Sequence, residues 1–482
     1  MKVSASDWLL LSPELFLTAA GLFILSISAF FEKAKEEFLA FLTLLFTAIT
    51  IGLVAFLSGY PGRSAPIFAG MFILDNFAIF FKLLMLVSIV LTVLASIQFV
   101  GRAPYPAGDY YALLLFTGVG MLFMVSGNNL VSIYVALELM ALSSYILAGY
   151  FKLEIKSTEA ALKYFVLGAF SSGVLLYGLS LVYGIAGRMG LPKLAKLFES
   201  QPKSNLLIVG ILLILAGLLF KIAAVPFHVW TPDVYEGSPT PVTAFFSVGP
   251  KLAAYAILAR IFYVGFPKFH ADWGLIIALV SAATMVFGNV AALLQSNVKR
   301  MLAYSSIAHA GYALMGVLGF RTEFGLWGIL VYLLAYTFMN FGVFALVVFL
   351  ETKGYAAESV ADFNGLARRN MTAAVVMLVF LLSLAGIPPT AGFIGKYYLF
   401  TSAMKAGYAW LAVLAVLMSA LSLFYYFRIA AAMFFSEGEG APLRSSYPLT
   451  AAVLICAVAT VVIGVAPQPF VEILRACVIR TP

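Results

Sequence analysis

The chain has 482 residues, 63% of them hydrophobic and only 10% charged, against roughly 25% charged in soluble domains. That much apolar surface cannot be hidden inside a water-soluble globule of this size, so the composition predicts an all-α polytopic membrane protein; the period-two alternation of a membrane barrel is absent. The formal net charge of +8 comes from basic residues scattered singly, without the continuous patch that nucleic-acid binding needs.

A crossing takes about 20 apolar residues. On that scale spans are predicted near 8–30, 38–58, 71–99, 110–126, 129–151 and 158–186, then a broken run over 205–238. Further spans follow near 241–265, 273–294, 301–320 and 324–351, a second broken run over 373–407, and spans near 409–434 and 446–468. This makes about fourteen crossings in one membrane domain with short loops. The N-terminus lacks the layout of a signal peptide. Cys456 and Cys477 are too few and too far apart to suggest a disulfide framework or a metal site.

The broken runs carry the most information. In the first, LFKIAAVPFHVW, Lys221 is followed by Pro226, and proline must interrupt the helix near Ala223–Val225. In the second, SLAGIPPTAGFIGKYY, glycines and Pro388–Pro389 precede Lys396. Broken backbone at membrane depth is tolerated only where protein buries it or water reaches it. The runs lie five spans apart, so they cross in opposite directions, as in an inverted-topology repeat. The expected division is 1–109 as N-terminal flanking helices, 110–265 and 266–434 as two inverted five-helix repeats, each with a broken helix and each a proton half-channel, and 435–482 as a C-terminal flanking helix.

Orientation is weakly marked. An outside N-terminus puts Lys33, Lys35, Arg102, Lys152, Lys156, Lys299, Arg300, Lys353, Arg368, Arg369 and Arg444 on the cytoplasmic side. Arg63, Arg188, Lys193, Lys196, Lys203, Lys268, Arg321 and Lys405 then face the other way, a modest excess under the positive-inside rule.

Ionisable groups inside a bilayer are costly, about 2.5–3.5 kcal/mol each on insertion scales, and usually persist for a function. Glu138 lies mid-span and needs a cation, for which Lys221 beside the first break is the natural partner. Lys251 is about 15 Å into its span at 1.5 Å per residue, and Lys396 is similarly deep; neither can snorkel to an interface. A lysine in such a place can take up and release a proton, where an arginine could not. Lys163 is shallower, with Glu159 one turn earlier as a local i,i+4 partner. Lys82 is ambiguous in the same way, since Asp75 and Asn76 suggest a nearby interface. His309, well inside its span, suits proton relay through its two ring nitrogens, and His228 could link the first half-channel to Lys251. His270 falls in a loop. Three separated histidines give no metal-ligand spacing, and no phosphate-binding glycine loop or nucleophile triad is visible.

The segments ALELMALSSYILAGY, STEAALKYFVLGAFSSGVLLYG, FKIAAVPFHVWTPDVYEGSPTPVTAFFSVGPK, NVKRMLAYSSIAHAGYALMG and LAGIPPTAGFIGKYYLF cover much of the chain. They resemble the antiporter-like subunits of respiratory complex I, and WTPDVYEGSPTPVTAF resembles the subunit N group of bacterial-type NADH:quinone oxidoreductases in particular. Subunit M relatives carry glutamate at the place of Lys396. Subunit L relatives continue into a long lateral helix, whereas this chain ends soon after its predicted fourteenth span.

The resemblance implies inverted repeats and a proton-translocating membrane-arm subunit in the bacterial inner membrane. Glu138 and Lys221 match the family's modulating pair, Lys251 its central relay lysine, Lys396 its outlet-side residue and Lys163 a further family lysine. No redox group is expected on this chain. NADH, FMN, iron–sulfur clusters and quinone belong with partner subunits, and the implied neighbours are M-like and K-like subunits and the lateral helix of an L-like one. Two readings compete: a cation/proton antiporter subunit driven by sodium, and a structural spacer with vestigial charges.

Overall fold

The computed structural model describes residues 4–30, 35–101, 105–320, 322, 324–351, 358–437 and 446–479. Lys33, Arg102, Arg321, Lys353 and Arg444, used in the charge tally above, lie outside the described residues. The chain opens with α1 (Ala5–Leu10), α2 (Ser12–Phe30), α3 (Glu36–Ser58), α4 (Asn76–Val100), α5 (Ala107–Ser126), α6 (Leu130–Ala148) and the long α7 (Ile155–Ala186). A short helix, α8 (Leu191–Ser200), precedes the first broken run, formed by α9 (Asn205–Lys221) and α10 (Trp230–Gly237).

Next come α11 (Thr240–Arg260), continued by a π-helical turn over Ile261–Gly265, α12 (His270–Leu293), α13 (Val298–Leu318), α14 (Gly325–Leu350) and α15 (Leu366–Arg369). The second broken run is α16 (Met371–Ala385) and α17 (Ala391–Lys405), followed by α18 (Ala409–Phe435), α19 (Tyr447–Val465) and α20 (Gln468–Arg475).

Among the described residues, twelve helices are long and apolar enough to cross a membrane, and α9 and α16 are shorter apolar helices. The molecule is an all-helical, multi-pass integral membrane protein. Predicted and observed spans agree to within a few residues at most ends. The short helices α8 and α20 were not foreseen, being too short for a span.

Polar side chains set several helix starts: Asp75 accepts from the Ala78 amide, Asn297 from Arg300 and Asn370 from Ala373. Both breaks fall at the prolines. After Lys221 the chain turns with Ala223 at φ 62°, and helix resumes at Trp230. The freed backbone groups find protein partners, as membrane depth demands. The Val225 amide donates to Thr284 Oγ1 of α12 at 3.0 Å, and the Phe220 carbonyl accepts from the Trp230 indole at 3.1 Å. At the second break Gly386 takes φ +86°, a left-handed position that glycine adopts without strain.

The core lies around α11, whose span is wholly buried, with α13 and α14 nearly so. A helix apolar on every side belongs in the middle of a bundle, and these three carry Lys251, His309 and a set of tyrosines.

Candidate functional site

Lys221 ends α9, and its Nζ donates to the Tyr145 hydroxyl of α6 at 3.4 Å. It also lies 5.8 Å from the centres of the Tyr145 and Phe220 rings. Glu138 is on α6 and half-buried. The two make no ion pair within 4.0 Å, and Glu138 Oε1 has no hydrogen-bond partner. The expected ion pair is not formed; the hydrogen bond of Lys221 goes to Tyr145 instead.

Lys251 is buried on α11. Its Nζ donates to the Ser306 hydroxyl at 2.6 Å and to the Ser306 carbonyl at 3.0 Å. Since Ser306 Oγ accepts from the lysine, its own proton is free for Tyr336 Oη of α14, 2.7 Å away. A cavity of about 10 Å³ opens between Lys251, Ser306, His309, Tyr332 and Tyr336, at the lower limit of the room one water needs. Across it, His309 Nδ1 is 2.6 Å from Tyr332 Oη and Nε2 is 3.2 Å from Tyr426 Oη, which also bonds Ser305. A neutral imidazole has one donor and one acceptor nitrogen, and a hydroxyl serves either, so His309 can exchange tautomers without losing a partner.

Lys396, on the second turn of α17, turns back to the end of α16. Its Nζ donates to the Leu384 carbonyl at 2.8 Å, the Ala385 carbonyl at 3.0 Å and Ser419 Oγ of α18 at 2.7 Å. The lysine thus satisfies carbonyls that the break leaves without helical partners. Its stem passes so close to Gly386 that a Cβ there would meet Lys396 Cδ at 2.8 Å. The Tyr312 ring lies 4.8 Å from Nζ.

Other sequence candidates are placed differently. His228 lies in the first break with its ring 4.5 Å from that of Phe287 on α12, and its Nδ1 has no partner. No hydrogen bond joins it to Lys251, whose Nζ donates to Ser306. Lys163 meets Glu159 at 2.7 Å as expected and also Asp233 at 2.7 Å, but it is 40% exposed. Asp233 and Glu236 of α10 both pair with Arg300 of α13, at 2.7 and 3.0 Å. Lys156 joins Glu236 and Glu358. With Tyr164 stacked on Trp230 at 4.6 Å, these pairs clamp α10 between α7 and α13.

The sequence left Lys82 without a named partner; its Nζ sits 2.6 Å from Glu14 Oε1 of α2, and neither side chain meets solvent. Ser126 Oγ approaches the same oxygen at 3.4 Å. The tyrosines were missed as well. Tyr332 and Tyr336 stand at i,i+4 spacing inside an apolar run, and that spacing was the available signal.

A family model described as NADH:quinone oxidoreductase/Mrp antiporter, transmembrane, matches residues 127–422. The chain belongs to this family. It is 44% identical over 474 residues to NADH-quinone oxidoreductase subunit N of Trichlorobacter lovleyi, covering 97% of this chain and 96% of that one. It is 41% identical over 471 residues to NADH-quinone oxidoreductase subunit N 2 of Rhizobium meliloti, covering 97% of both.

Among solved structures, a chain of respiratory complex I from Thermus thermophilus with bound aureothin superposes with TM-score 0.82 at 33% identity, covering 96% of this chain and 99% of that one. A chain of the Mrp complex from Dietzia superposes with TM-score 0.86 at 22% identity, covering 98% and 97%, and shows that the fold is shared. The family's shared fold thus accommodates the three buried lysines described above. Among the described residues no group of three His, Cys, Asp or Glu is placed to hold a metal ion.

Proposed function

We propose that this chain is a proton-translocating membrane-arm subunit of an NADH:quinone oxidoreductase, part of a translocase that sits in the bacterial inner membrane. Its full-length similarity to subunit N relatives supports the assembly. One observation carries the proton path. Among the described residues, Lys221, Lys251 and Lys396 are all buried with no carboxylate within 4.0 Å, each held only by hydroxyl or carbonyl oxygens; Lys299 at the start of α13 shares this, but Lys221 and Lys396 stand at the helix breaks and Lys251 in the wholly buried α11. A lysine kept for structure is normally paired when buried, as Lys82 is here. Neutral oxygen partners suit a group that must be stable both with and without its proton.

In this mechanism the Glu138–Lys221 pair closes and opens as charge shifts along the membrane arm. At an effective dielectric near 20 a unit pair at 4 Å is worth about 4 kcal/mol, enough to decide whether Lys221 keeps its proton. When the pair opens, the proton passes towards Lys251. Ser306 and Tyr336 carry it to the cavity, one water bridges to His309, and Lys396 receives it beyond Tyr312 and Tyr426. The cavity must hydrate for conduction, which makes it the natural gate. Lys163, within the α10 clamp, holds the first break in shape, and His228 serves the approach to that break.

The path spans two half-channels, residues 110–265 and 266–434, flanked by 1–109 and 435–482. Each broken run supplies one crossing, which with the twelve long helices gives fourteen. NADH, FMN, iron–sulfur clusters and quinone are held by partner subunits, and M-like and K-like subunits and an L-like lateral helix are the neighbours. The test is gentle extraction from the native membrane. Co-purification of flavin- and iron–sulfur-containing subunits is expected; recovery with only antiporter-type membrane subunits would move the chain to a sodium/proton exchanger.

A further inference from the structure

We propose that Tyr145 is the positioning residue that holds the Lys221–Glu138 pair open, by offering the lysine a neutral acceptor in competition with the carboxylate. This rests on the proton-relay reading above.

Glu138 and Tyr145 are seven residues apart on α6, two helical turns, so both address the same side of the helix. Lys221 reaches them from the end of α9. Its hydrogen bond goes to the Tyr145 hydroxyl at 3.4 Å, and Glu138 Oε1 is left buried without a partner. A buried carboxylate oxygen with no donor, two turns along the same helix face from the tyrosine that takes the lysine's hydrogen bond, is half of an interaction waiting to form. The bond to Tyr145 is long for an N–H···O contact and so is easily given up. A phenol accepts from an ammonium and donates to a neutral amine, whereas a carboxylate holds only the ammonium strongly. Tyr145 therefore serves Lys221 in both protonation states, and Glu138 in one.

The phenol is packed against α7. Its ring meets Tyr164 edge-on at 4.7 Å and Phe165 at 5.9 Å, both on α7. Its hydroxyl lies over bare backbone at Gly168, where an added Cβ would fall 2.0 Å from Oη and 2.6 Å from Cζ. Gly168 thus makes the room in which Tyr145 can stand beside Lys221, and gives a second, independent way to move the phenol.

The test uses the assembled complex. In Tyr145→Phe the ring packing stays and only the competing oxygen goes. The ratio of open to closed pair is expected to fall a few-fold, less than the roughly tenfold of a full-strength hydrogen bond to a charged group because this contact is long. An electron cryo-microscopy structure of this variant is expected to show Lys221 Nζ on the Glu138 carboxylate, and protons translocated per electron are expected to fall several-fold. Gly168→Ala, which displaces the phenol without removing it, is expected to give the same lysine position, and decides the matter if Tyr145→Phe fails to assemble. Lys221 unmoved from its place beside the ring, or an unchanged proton-to-electron ratio with Lys221 on Glu138, would overturn the proposal. Failure of the relay reading shows separately, as full translocation in Lys221→Ala; the lysine position in Tyr145→Phe would still test the tyrosine.

Discussion

Lys82 and Glu14 should behave as a unit. Their contact is 2.6 Å with no solvent at either side chain. At that distance and an effective dielectric near 20, the attraction is about 6 kcal/mol. Desolvating each ion costs several kcal/mol, so the pair contributes little net stability while it is intact. Beyond it, Ser126 Oγ alone approaches Glu14, and Glu14 Oε2 has no hydrogen-bond partner.

Lys82→Met leaves a carboxylate stranded, and Glu14→Met leaves an ammonium stranded, each at a cost of about 3–5 kcal/mol. Replacing both by methionine, similar in volume to the residues removed, should be neutral or stabilising by up to about 4 kcal/mol. The assay is thermal dissociation of the purified complex for the three variants, with the proton-to-electron ratio measured alongside. Both single variants should melt early, and the double should match the parent and pump normally. A double variant as damaged as the two singles added together would refute the reasoning.

Ser306→Ala removes the one side-chain acceptor that Lys251 has among the described residues, and the partner of Tyr336. A lost bond to a charged group is worth about 1.5–3 kcal/mol, or roughly 10- to 150-fold, and the turnover of coupled proton transfer should fall within that range while the subunit still assembles. At the membrane surface, burial pushes the Asp75 carboxyl up, but the bidentate Arg260 guanidinium and the Ala78 amide outweigh it and hold it below its ordinary value of 3.8. A depressed carboxylate contributes stability that is complete above the ordinary value and lost as pH falls through the lower folded one. Asp75→Asn should therefore flatten the acid limb of a stability–pH curve and leave a constant deficit at neutral pH.

Much of the scaffold was legible in the sequence because membrane crossings are set by length and hydropathy. Proline, which cannot continue a helix, located both breaks. Depth along a span likewise singled out Lys251 and Lys396. What failed was pairing across the bundle. Asp75 and Asn76 made Lys82 ambiguous, and nothing in the local sequence names Glu14 as its partner; only the three-dimensional placing of α2 shows the two joined under cover. Tyr332, Tyr336 and Tyr426 were silent for another reason: a tyrosine in an apolar span reads as core until its hydroxyl has a named partner. Glu138 and Lys221 were matched as a pair, but the hydrogen bond of Lys221 goes to Tyr145, and a one-dimensional reading had no means of weighing that phenol against the carboxylate. The ion pairs around α10 join residues of α7, α10 and α13, and no local spacing announces them.

The most direct measurement is the proton-to-electron ratio of the assembled complex in sealed vesicles carrying Lys251→Ala, with electron transfer monitored in the same sample. A central relay lysine held only by Ser306 predicts a lowered ratio. A ratio equal to the parent's, with Lys396→Ala added and still no loss, would contradict a proton path through this chain.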